Sequence, residues 1–520
     1  MKIAKRTFQW IGDTERMKSF RIENIKSFKN SGNIELKPIT VFVGKNSCGK
    51  SSLLRFPVVL AQTAMSNTDS PLTLYGKMLD YGNYEDVVFG RTADSMIFEI
   101  DYDVNIHNAN DARYAMIIEK QDNKIPSEIH RVGMKVIINK KDKRMHVESV
   151  ELCVDGECLS GYYYQGNNYR LELNYIYENY QLTKEKYTIE LEDIQFDSFF
   201  PLYGMREVFC AIVGIVVNED KKPVSMEVGQ ELYNRLFSLA NPYSDDQLTD
   251  EEKLIKRIKN GLEYSSAMMS HVYKNFNMEA QTTTYIGPFR ESPERIYRDS
   301  ESQSSDVGVK GENVSTLLIR DYQKNRKLIN AISEWLYKTM GYKLTIKDMG
   351  SGLFQIVLVN DEGIESNILD VGFGISQVLP IIMQIIKRSF PSGRRIMGKL
   401  TNGESIYIEQ PELHLHPAAQ AELADIFVNC ILDNKDTCLV IETHSEHLIR
   451  KLQVLVADKE NHFSADMLRI YYVDKDENGV AHVQEMRILD NGKFEQKWPA
   501  GFFDKAHELS MELLKNSTKN

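Results

Sequence analysis

Residues 38–55 read PITVFVGKNSCGKSSLLR, and the fold class follows from this segment. Its apolar part, Ile39–Val43, predicts a buried strand, and Ser51–Arg55 predicts the first turn of a helix. A glycine-rich loop with the spacing G-x-x-x-x-G-K-S joins the two. A loop of this kind between a strand and a helix is typical of phosphate-binding sites.

Each residue type in this loop suits a nucleotide phosphate. Gly44 and Gly49 let the backbone bend so that successive N–H groups point at phosphate oxygens, and the helix N-terminus adds a positive dipole end. Lys50 supplies a full charge for the β- and γ-phosphates, and the Ser51 hydroxyl suits Mg²⁺. The alternative is a glycine-rich turn without a ligand. The predicted nucleotide-binding residues of the loop are Gly44, Lys45, Asn46, Ser47, Cys48, Gly49, Lys50, Ser51 and Ser52.

The composition indicates a globular chain of two or three lobes. The chain has 520 residues, of which 42% are hydrophobic and 26% are charged, and this length is long for a single core. The net charge of -11 argues against a surface coated for bulk nucleic-acid binding, although a local basic groove stays open. Six scattered cysteines fit a reducing compartment. The sequence shows neither a signal-peptide core nor an apolar run of about 20 residues, so we expect a cytoplasmic protein without a membrane partner.

The periodicity of the apolar residues changes along the chain and predicts its domain organisation. Strand-like segments separated by turns dominate from about residue 96 to 194, and helical spacing follows up to about residue 279. We therefore predict that residues 1–102 and 283–520 are the two parts of a nucleotide-binding head. Residues 103–200 form a β-rich insertion and residues 201–282 a helical insertion between them.

A second apolar strand ends in acidic residues and completes the predicted site. Residues 404–412 read ESIYIEQPE, and a carboxylate at the end of a strand beside a phosphate-binding loop is where Mg²⁺ or its water shell is held. Glu409 is therefore the metal candidate. His414 and His416 follow at a spacing that leaves a zinc site as an alternative, but the H-E-x-x-H pattern is absent.

Two further motifs could contact phosphate. The strand at residues 438–442 leads to His444, which could reach a γ-phosphate or be a structural histidine. The sequence VGFGISQ at residues 371–377 opens a predicted helix, where glycines with Ser and Gln make a potential anion cradle or a helix entry that merely packs.

The order of these motifs resembles that of ABC-type ATPases. It is most similar to the branch that includes RecF, the structural-maintenance-of-chromosomes (SMC) proteins and the overcoming-lysogenization-defect (OLD) nucleases. The box EQPELHLHP at residues 409–417, with ETHSEH at residues 442–447, resembles a bacterial AAA-family ATPase group often found in anti-phage or mobile-element operons. Matching motifs cover about residues 17–100 and 283–505, and the part between them matches nothing specific.

This resemblance implies an α/β fold, an ABC-type P-loop ATPase head whose mixed sheet is flanked by helices and split by a large β-rich then helical insertion. It implies a homodimer or higher homo-oligomer that closes on ATP and Mg²⁺. Ser51 and Glu409, the Walker-B acid, would hold the metal, His444 would be the switch histidine, and His416 would lie in a loop that crosses the dimer interface. The residues implied to reach the γ-phosphate bound by the partner subunit are Gly372, Gly374, Ser376 and Gln377.

Two positions depart from the wider class. The residue after the Walker-B acid is usually a glutamate that polarises the attacking water, and here it is Gln410. A neutral amide can position water but cannot accept its proton, and Glu412 could substitute only if the loop bends it inward. The predicted catalytic residues are therefore Gln410, Glu412 and His444, with slow or conditional ATP hydrolysis. The second departure is the Q-loop, because no clear Q-loop glutamine follows the first helix. The Asn83–Asp86 region is the only candidate.

Three other functions stay open at the level of sequence. Residues 139–142 match the guanine-reading N-K-x-D of GTPases, although they are also typical of a hairpin tip. Asp474 and Asp476 form the D-x-D of a nuclease, but the residues after His444 are too few for a Toprim domain of the OLD type. The third is a non-hydrolysing, ATP-sensing scaffold protein for a partner complex, which Gln410 favours.

The function we expect from the resemblance is ATP-dependent dimerisation that regulates or activates a separate effector protein. The effector would be a nuclease or a toxin in bacterial anti-phage defence or DNA metabolism, with DNA or a phage component as the trigger. This step rests on family analogy and not on particular residues.

Overall fold

The structure is a computed structural model that describes residues 16–105, 129–166, 168–178, 181–191, 194–202, 205–217, 222–237, 248–300, 304–388, 394–396, 399–401, 404–499 and 512. The strands are β1 Met17–Ile25, β2 Phe28–Asn30, β3 Ile34–Glu35, β4 Ile39–Gly44, β5 Ser95–Asn105, β6 Ile129–Lys141, β7 Arg144–Val154, β8 Glu157–Gln165, β9 Asn168–Glu178, β10 Gln181–Leu191, β11 Gln195–Asp197, β12 Phe200–Leu202, β13 Thr283–Ile286, β14 Tyr297–Arg298, β15 Lys343–Gly350, β16 Leu353–Val359, β17 Glu365–Asn367, β18 Arg394–Ile396, β19 Lys399–Thr401, β20 Glu404–Glu409, β21 Thr437–Glu442, β22 Leu468–Lys475 and β23 Ala481–Glu485. The helices are α1 Lys50–Ala64, α2 Tyr84–Val87, α3 Met205–Val217, α4 Met226–Phe237, α5 Asp250–Gln281, α6 Val314–Lys324, α7 Lys327–Met340, α8 Phe373–Arg388, α9 Pro417–Asp433 and α10 Glu446–Ala457.

A six-stranded sheet carries the predicted site. Its order is β13-β20-β21-β4-β22-β23, and the strands pair in parallel up to β22, which pairs with β23 antiparallel. Strand β4 is buried along its whole length because Val41 faces one hydrophobic core and Phe42 faces the other. This explains the continuous apolar run, since a parallel strand covered on both faces does not alternate. The predicted strand and the helix after it are confirmed.

A nine-stranded antiparallel sheet contains the predicted β-rich insertion. Its main path is β10-β9-β8-β7-β6-β5-β1-β2, and β3 pairs with β1 on the same edge as β2. The inserted strands therefore extend the N-terminal β1–β2 hairpin, and the boundary predicted between residues 102 and 103 lies inside β5. Strand β8 lies within the region predicted to be rich in strands, although its Ser160 and Gly161 interrupt the apolar alternation.

The helical insertion docks on the nucleotide-binding head through α5. This helix begins with a capping box, in which Thr249 and Glu252 each accept the backbone N–H of the other. Near its end, the half-buried Glu279 accepts hydrogen bonds from the backbone N–H of Met17, at 3.0 Å, and from the hydroxyls of Tyr102 and Ser405. One carboxylate thus links the insertion to β1, β5 and β20.

Helices α6–α10 cover the face of the six-stranded sheet that lies away from the nine-stranded sheet. They share one core with β15 and β16, which pair antiparallel around a turn at residues 350–352. The predicted architecture, a mixed sheet flanked by helices and split by a β-rich then helical insertion, is confirmed. Among the described residues, no helix is long and apolar enough to cross a membrane.

Two motifs that suggested other functions lie at strand ends, and the last residue of each, Asp142 or Asp476, is in a hairpin turn. Asp142 and Lys143 adopt φ of 49° and 67° between β6 and β7, as a two-residue turn requires. In the turn between β22 and β23, Asp476 accepts the backbone N–H groups of Asn478 and Val480. The turn contacts account for these residues without a ligand.

Candidate nucleotide-binding site

The phosphate-binding loop leaves β4 and enters α1 in a conformation that needs its glycines. Gly44 and Gly49 have φ of +146° and +115°, and Ser47 also lies at positive φ, 58°. A Cβ atom on Gly44 would come 2.0 Å from the carbonyl oxygen of Val473, and one on Gly49 would come 2.9 Å from the Phe28 ring. The loop is therefore a tight backbone cradle with no space for side chains at its two glycines.

We expect Gly44→Ala to lower the free energy of unfolding by about 2 kcal/mol more than Gly363→Ala, because the strain of positive φ is joined by a clash with β22. Gly363 is the control for positive φ without a clash, since its φ is +79° and a Cβ atom there would meet no atom within 4 Å. Urea denaturation of the nucleotide-free protein measures both. Equal losses of unfolding free energy in the two variants would contradict the close packing of Gly44 against β22.

Lys50 lies at the centre of the loop. Only 3% of its side chain is exposed, its Nζ donates a hydrogen bond to the carbonyl oxygen of Lys45 at 2.7 Å, and Glu442 Oε1 lies 4.0 Å away. The Lys45 side chain points elsewhere and forms an exposed ion pair with Asp474 at 2.8 Å. The buried ammonium is thus held within the loop by local contacts.

An open pocket of about 390 Å³ lies beside the loop. Ser47, Gly49, Ser51 and Ser52 contribute to its wall. The other lining residues are Lys26, Ser27, Asp86, Val88, Gly90, Arg91 and Lys475. The pocket combines loop atoms with lysine and arginine side chains, which suits a phosphorylated ligand.

The Q-loop candidate region contributes to this pocket. Asp86 lines it, and Asn83 caps α2 by accepting the backbone N–H of Asp86 at 3.0 Å. The structure therefore places the Asn83–Asp86 region next to the phosphate-binding loop, although Asn83 is engaged in the cap.

Glu409, at the end of β20, is fully engaged by neighbouring side chains. Arg55 of α1 donates to both of its carboxylate oxygens, at 2.6 and 2.8 Å, and the Tyr285 hydroxyl donates to Oε1 at 2.7 Å. Burial by itself would lower the pKa of Arg55, but the hydrogen bonds and charge of Glu409 outweigh it and raise that pKa. Burial, with the charge of Glu409, raises the pKa of Tyr285. The predicted metal ligand is thus already paired with a cation.

Gln410 follows β20 in a left-handed backbone conformation, with φ of 45°. Its N–H donates to the carbonyl oxygen of Glu442 at 2.8 Å, and its own carbonyl oxygen accepts from Arg290 at 3.3 Å. Arg290 also donates to the carbonyl oxygen of Glu409 at 2.7 Å, and its burial lowers its pKa to about 10. Non-glycine residues rarely adopt this conformation, so the bonds on both sides hold Gln410 in place.

Glu412 and His444 are joined through the backbone. Glu412 Oε1 accepts the N–H of His444 at 2.6 Å, and burial raises the pKa of Glu412. Burial and then the charge of Lys50 lower the pKa of His444 to about 4, so the imidazole is neutral near pH 7. Glu412 therefore supports the position of the predicted switch histidine.

Glu442 is a site residue to which sequence reasoning gave no role. It ends β21, which lies between β20 and β4, and its register partner on β20 is Glu409. Its carboxylate is almost completely buried, and burial, followed by the charge of Glu409, raises its pKa to about 7. Its position could have been recognised from the sequence, since Glu442 ends a buried strand as Glu409 does.

The predicted signature residues lie at the start of α8. Gly372 is exposed, whereas Ser376 and Gln377 are buried and Ser376 donates to the carbonyl oxygen of Phe373 at 2.9 Å. A Cβ atom on Gly374 would come 2.7 Å from the carbonyl oxygen of His414, so this glycine permits close packing on the loop after β20. The Phe373 side chain, 64% exposed, is on the surface at the same place.

The histidines after β20 have local roles in the described structure. His416 caps α9, where its Nδ1 accepts the backbone N–H of Ala418 at 3.4 Å, and the His414 ring lies 6.4 Å from the Phe373 ring. Among the residues that the structure describes, no group of three or more His, Cys, Asp or Glu side chains is arranged to hold a metal ion. A site for Mg²⁺ would therefore depend on the Ser51 hydroxyl and nucleotide phosphates as well as carboxylates.

Comparison with known families assigns most of the chain. A family described as AAA ATPase domain matches residues 16–449, and a family described as protein of unknown function (DUF3696) matches residues 464–513. No curated protein matches the chain.

Several solved structures are similar over most of the chain. The SMC head domain of Pyrococcus furiosus, with an extended coiled coil and bound to the C-terminal domain of ScpA, has 12% identity and a TM-score of 0.37, covering 96% of this chain and 99% of its own. The SMC head domain from Thermotoga maritima has 8% identity and a TM-score of 0.35, with 91% and 100% covered. The SMC head domain of Pyrococcus yayanosii, with a coiled coil and joint, has 11% identity and a TM-score of 0.33, with 92% and 98% covered.

Proposed function

The chain belongs to the AAA ATPase domain family, and from this premise we propose that it binds ATP with Mg²⁺, dimerises around the nucleotide and hydrolyses it slowly. The buried Lys50 at the centre of the glycine loop is the observation that carries the proposal. A lysine ammonium within a glycine-rich loop at a helix N-terminus suits an anion of high charge, and a triphosphate supplies it.

The proposed binding roles follow the loop and the adjoining strand ends. Residues 44–52 hold the phosphates through their backbone N–H groups, with Lys50 on the β- and γ-phosphates. Ser51 and Glu409 hold Mg²⁺ or its water shell, and the tight fit at Gly44 and Gly49 matches a loop that must approach phosphate closely. When bound, Mg²⁺ neutralises charge on the phosphate oxygens.

The proposed slow hydrolysis rests on the residues that would handle water. Gln410 orients the attacking water without accepting its proton, and the neutral His444 contacts the γ-phosphate region as a sensor. Glu412 is buried with its Oε1 on the His444 backbone, so its first role is to position that histidine. Proton acceptance by Glu412 would require the loop after β20 to move.

Dimerisation is proposed through the surface around the start of α8. In this proposal, the exposed Gly372 and Phe373, with His414 beside Phe373, form the surface that meets the nucleotide of the other subunit. Gly372, Gly374, Ser376 and Gln377 would act there on ATP bound by the other subunit. Buried Ser376 and Gln377 would then act after α8 shifts or through the helix N-terminus that they support.

The proposed biological role is regulation or activation of a separate effector protein, a nuclease or a toxin, in bacterial anti-phage defence or DNA metabolism. It is supported by the resemblance of the EQPELHLHP box at residues 409–417 to a group found in anti-phage operons. The alternative, a non-hydrolysing ATP-sensing scaffold, is favoured by one observation, the amide of Gln410 at the position of the water-activating carboxylate.

Steady-state phosphate release tests the proposal. We expect slow release from ATP by the wild type and a rate about a hundredfold higher in Gln410→Glu, because a carboxylate can accept the proton that the amide cannot. The same samples, examined by sedimentation velocity, should shift from monomer to dimer with MgATP.

The outcomes separate the two functions. A wild type that binds ATP and dimerises without any release, with release appearing in Gln410→Glu, would establish the scaffold. A wild type that stays monomeric in saturating MgATP would contradict the dimer. Gln410→Asn is the matched control, since it changes the same side chain without adding a carboxylate, and it should not increase release.

A further inference from the structure

Two carboxylates, and not one, lie at neighbouring strand ends beside the phosphate-binding loop and the helix that follows it. Glu409 and Glu442 are register partners on the parallel strands β20 and β21. Strand β21 is the nearer to the loop, because it pairs directly with β4. Glu442 Oε1 lies 4.0 Å from Lys50 Nζ, and both side chains are 3% exposed. Glu442 therefore belongs to the environment of the loop as closely as the predicted metal ligand does.

The two carboxylates differ in how their oxygens are used. Both oxygens of Glu409 accept hydrogen bonds, from Arg55 and from Tyr285, so its charge is compensated within the protein. Glu442 Oε2 has no hydrogen-bond partner among the described residues, although it is buried. A buried carboxylate oxygen without a partner is unfavourable, and native structures place such groups where a ligand or ion completes them.

We infer that Glu442 is the carboxylate that couples Mg²⁺ to nucleotide binding, acting with Ser51 either on the metal directly or through one of its waters. This inference rests on the proposed function. A hard divalent cation held by one or two carboxylates, a hydroxyl and phosphate oxygens is the usual arrangement for Mg²⁺. Glu409, with Arg55 on both oxygens, then contributes less charge to the metal than Glu442 does.

The charge balance gives the inference a specific sign. Without Mg²⁺, the Glu442 carboxylate repels the phosphates that Lys50 attracts. With Mg²⁺, the same carboxylate is attracted to the metal. Glu442 should therefore weaken binding of metal-free ATP and strengthen binding of MgATP, whereas a residue that merely supports the fold would change both affinities in the same direction.

The experiment compares ATP affinity in Mg²⁺ with ATP affinity in EDTA, for the full chain, by competition with a fluorescent ATP analogue. In Glu442→Gln we expect the ratio of ATP affinity in Mg²⁺ to ATP affinity in EDTA to fall about tenfold. Loss of a group in the shell of a metal typically costs at least this much in metal affinity. Metal-free ATP should bind at least as tightly as in the wild type. Glu442→Asp, which keeps a carboxylate, should retain part of the ratio.

Glu252→Gln is the matched control, because it makes the same change in a buried glutamate of the α5 capping box, where glutamine also serves, and it should keep the wild-type ratio. Thermal denaturation checks that each variant is folded. We expect Glu442→Gln to fold, because a neutral amide is easier to bury than a carboxylate. If folded Glu442→Gln keeps the wild-type ratio of ATP affinity in Mg²⁺ to ATP affinity in EDTA, the inference is overturned. This holds even if phosphate release is lost, since that result would make Glu442 a group that acts on water. Absence of ATP binding by the wild type in both conditions overturns the proposed function and this inference with it.

Discussion

Replacing Lys50 with alanine is expected to weaken ATP binding about a thousandfold, or roughly 4 kcal/mol, and to abolish phosphate release. Lys50 is the one loop side chain in the described site that combines a full positive charge with nearly complete burial. Its truncation leaves Glu442 without the ammonium 4.0 Å away, so the site loses an attraction for phosphate and keeps a repulsion. Equilibrium titration with ATP and a phosphate-release assay measure the two effects.

Lys347→Ala is the matched control for this prediction. Lys347 lies on β15, where its exposed side chain pairs with the exposed Glu365 at 3.1 Å, and such pairs contribute little. Its alanine variant should bind and hydrolyse ATP as the wild type does. Wild-type ATP affinity in a folded Lys50→Ala variant would refute nucleotide binding by this loop.

Arg55→Met is expected to lower the free energy of unfolding of the nucleotide-free protein by about 3 kcal/mol. The substitution leaves the Glu409 carboxylate, 2% exposed, without the cation that both of its oxygens contact. Removing one partner of a buried ion pair is strongly destabilising, and the value lies at the low end of the known range because Arg55 is 32% exposed and partly solvated. Urea denaturation followed by circular dichroism measures the change.

A double-variant cycle tests whether the unpaired charge is the cause. Arg55→Met with Glu409→Gln should recover most of the lost stability, because no buried charge then lacks a partner. Arg450→Met removes an exposed pair with Glu446 on α10 and should cost no more than about 0.5 kcal/mol. A strictly additive cycle would show that Arg55 stabilises the protein through packing and not through Glu409.

The Arg55–Glu409 pair also bears on the predicted site. Glu409 was recognised from its position at a strand end, and the structure does place it beside the phosphate-binding helix. Its engagement by Arg55 and Tyr285 could not be read from the chain, because 354 residues separate Arg55 from Glu409 in sequence. The pairing of a cation with the buried Glu409 depends on how α1 packs against the sheet. The local sequence does not determine that packing.

The loop at residues 44–51, the apolar run before it and the helix after it were predictable because each depends on neighbouring residues. Positive φ favours glycine, a strand buried on both faces needs an apolar run, and the start of a helix leaves backbone N–H groups without intrahelical partners. The hairpins at residues 142–143 and 476–479 were predictable for the same reason, since turn residues act on their own backbone.

The pairing of distant strands required the folded chain. The insertion continues the β1–β2 hairpin as one sheet, and β21 enters between β20 and β4, which brings Glu442 to Lys50 across 392 positions of sequence. Strand order is set by the burial of two hydrophobic cores on opposite faces of the sheet. The residues that form the loop are therefore consecutive and can be recognised in the sequence. The carboxylates and cations around the loop are brought together by long-range packing, and no local sequence pattern encodes that packing.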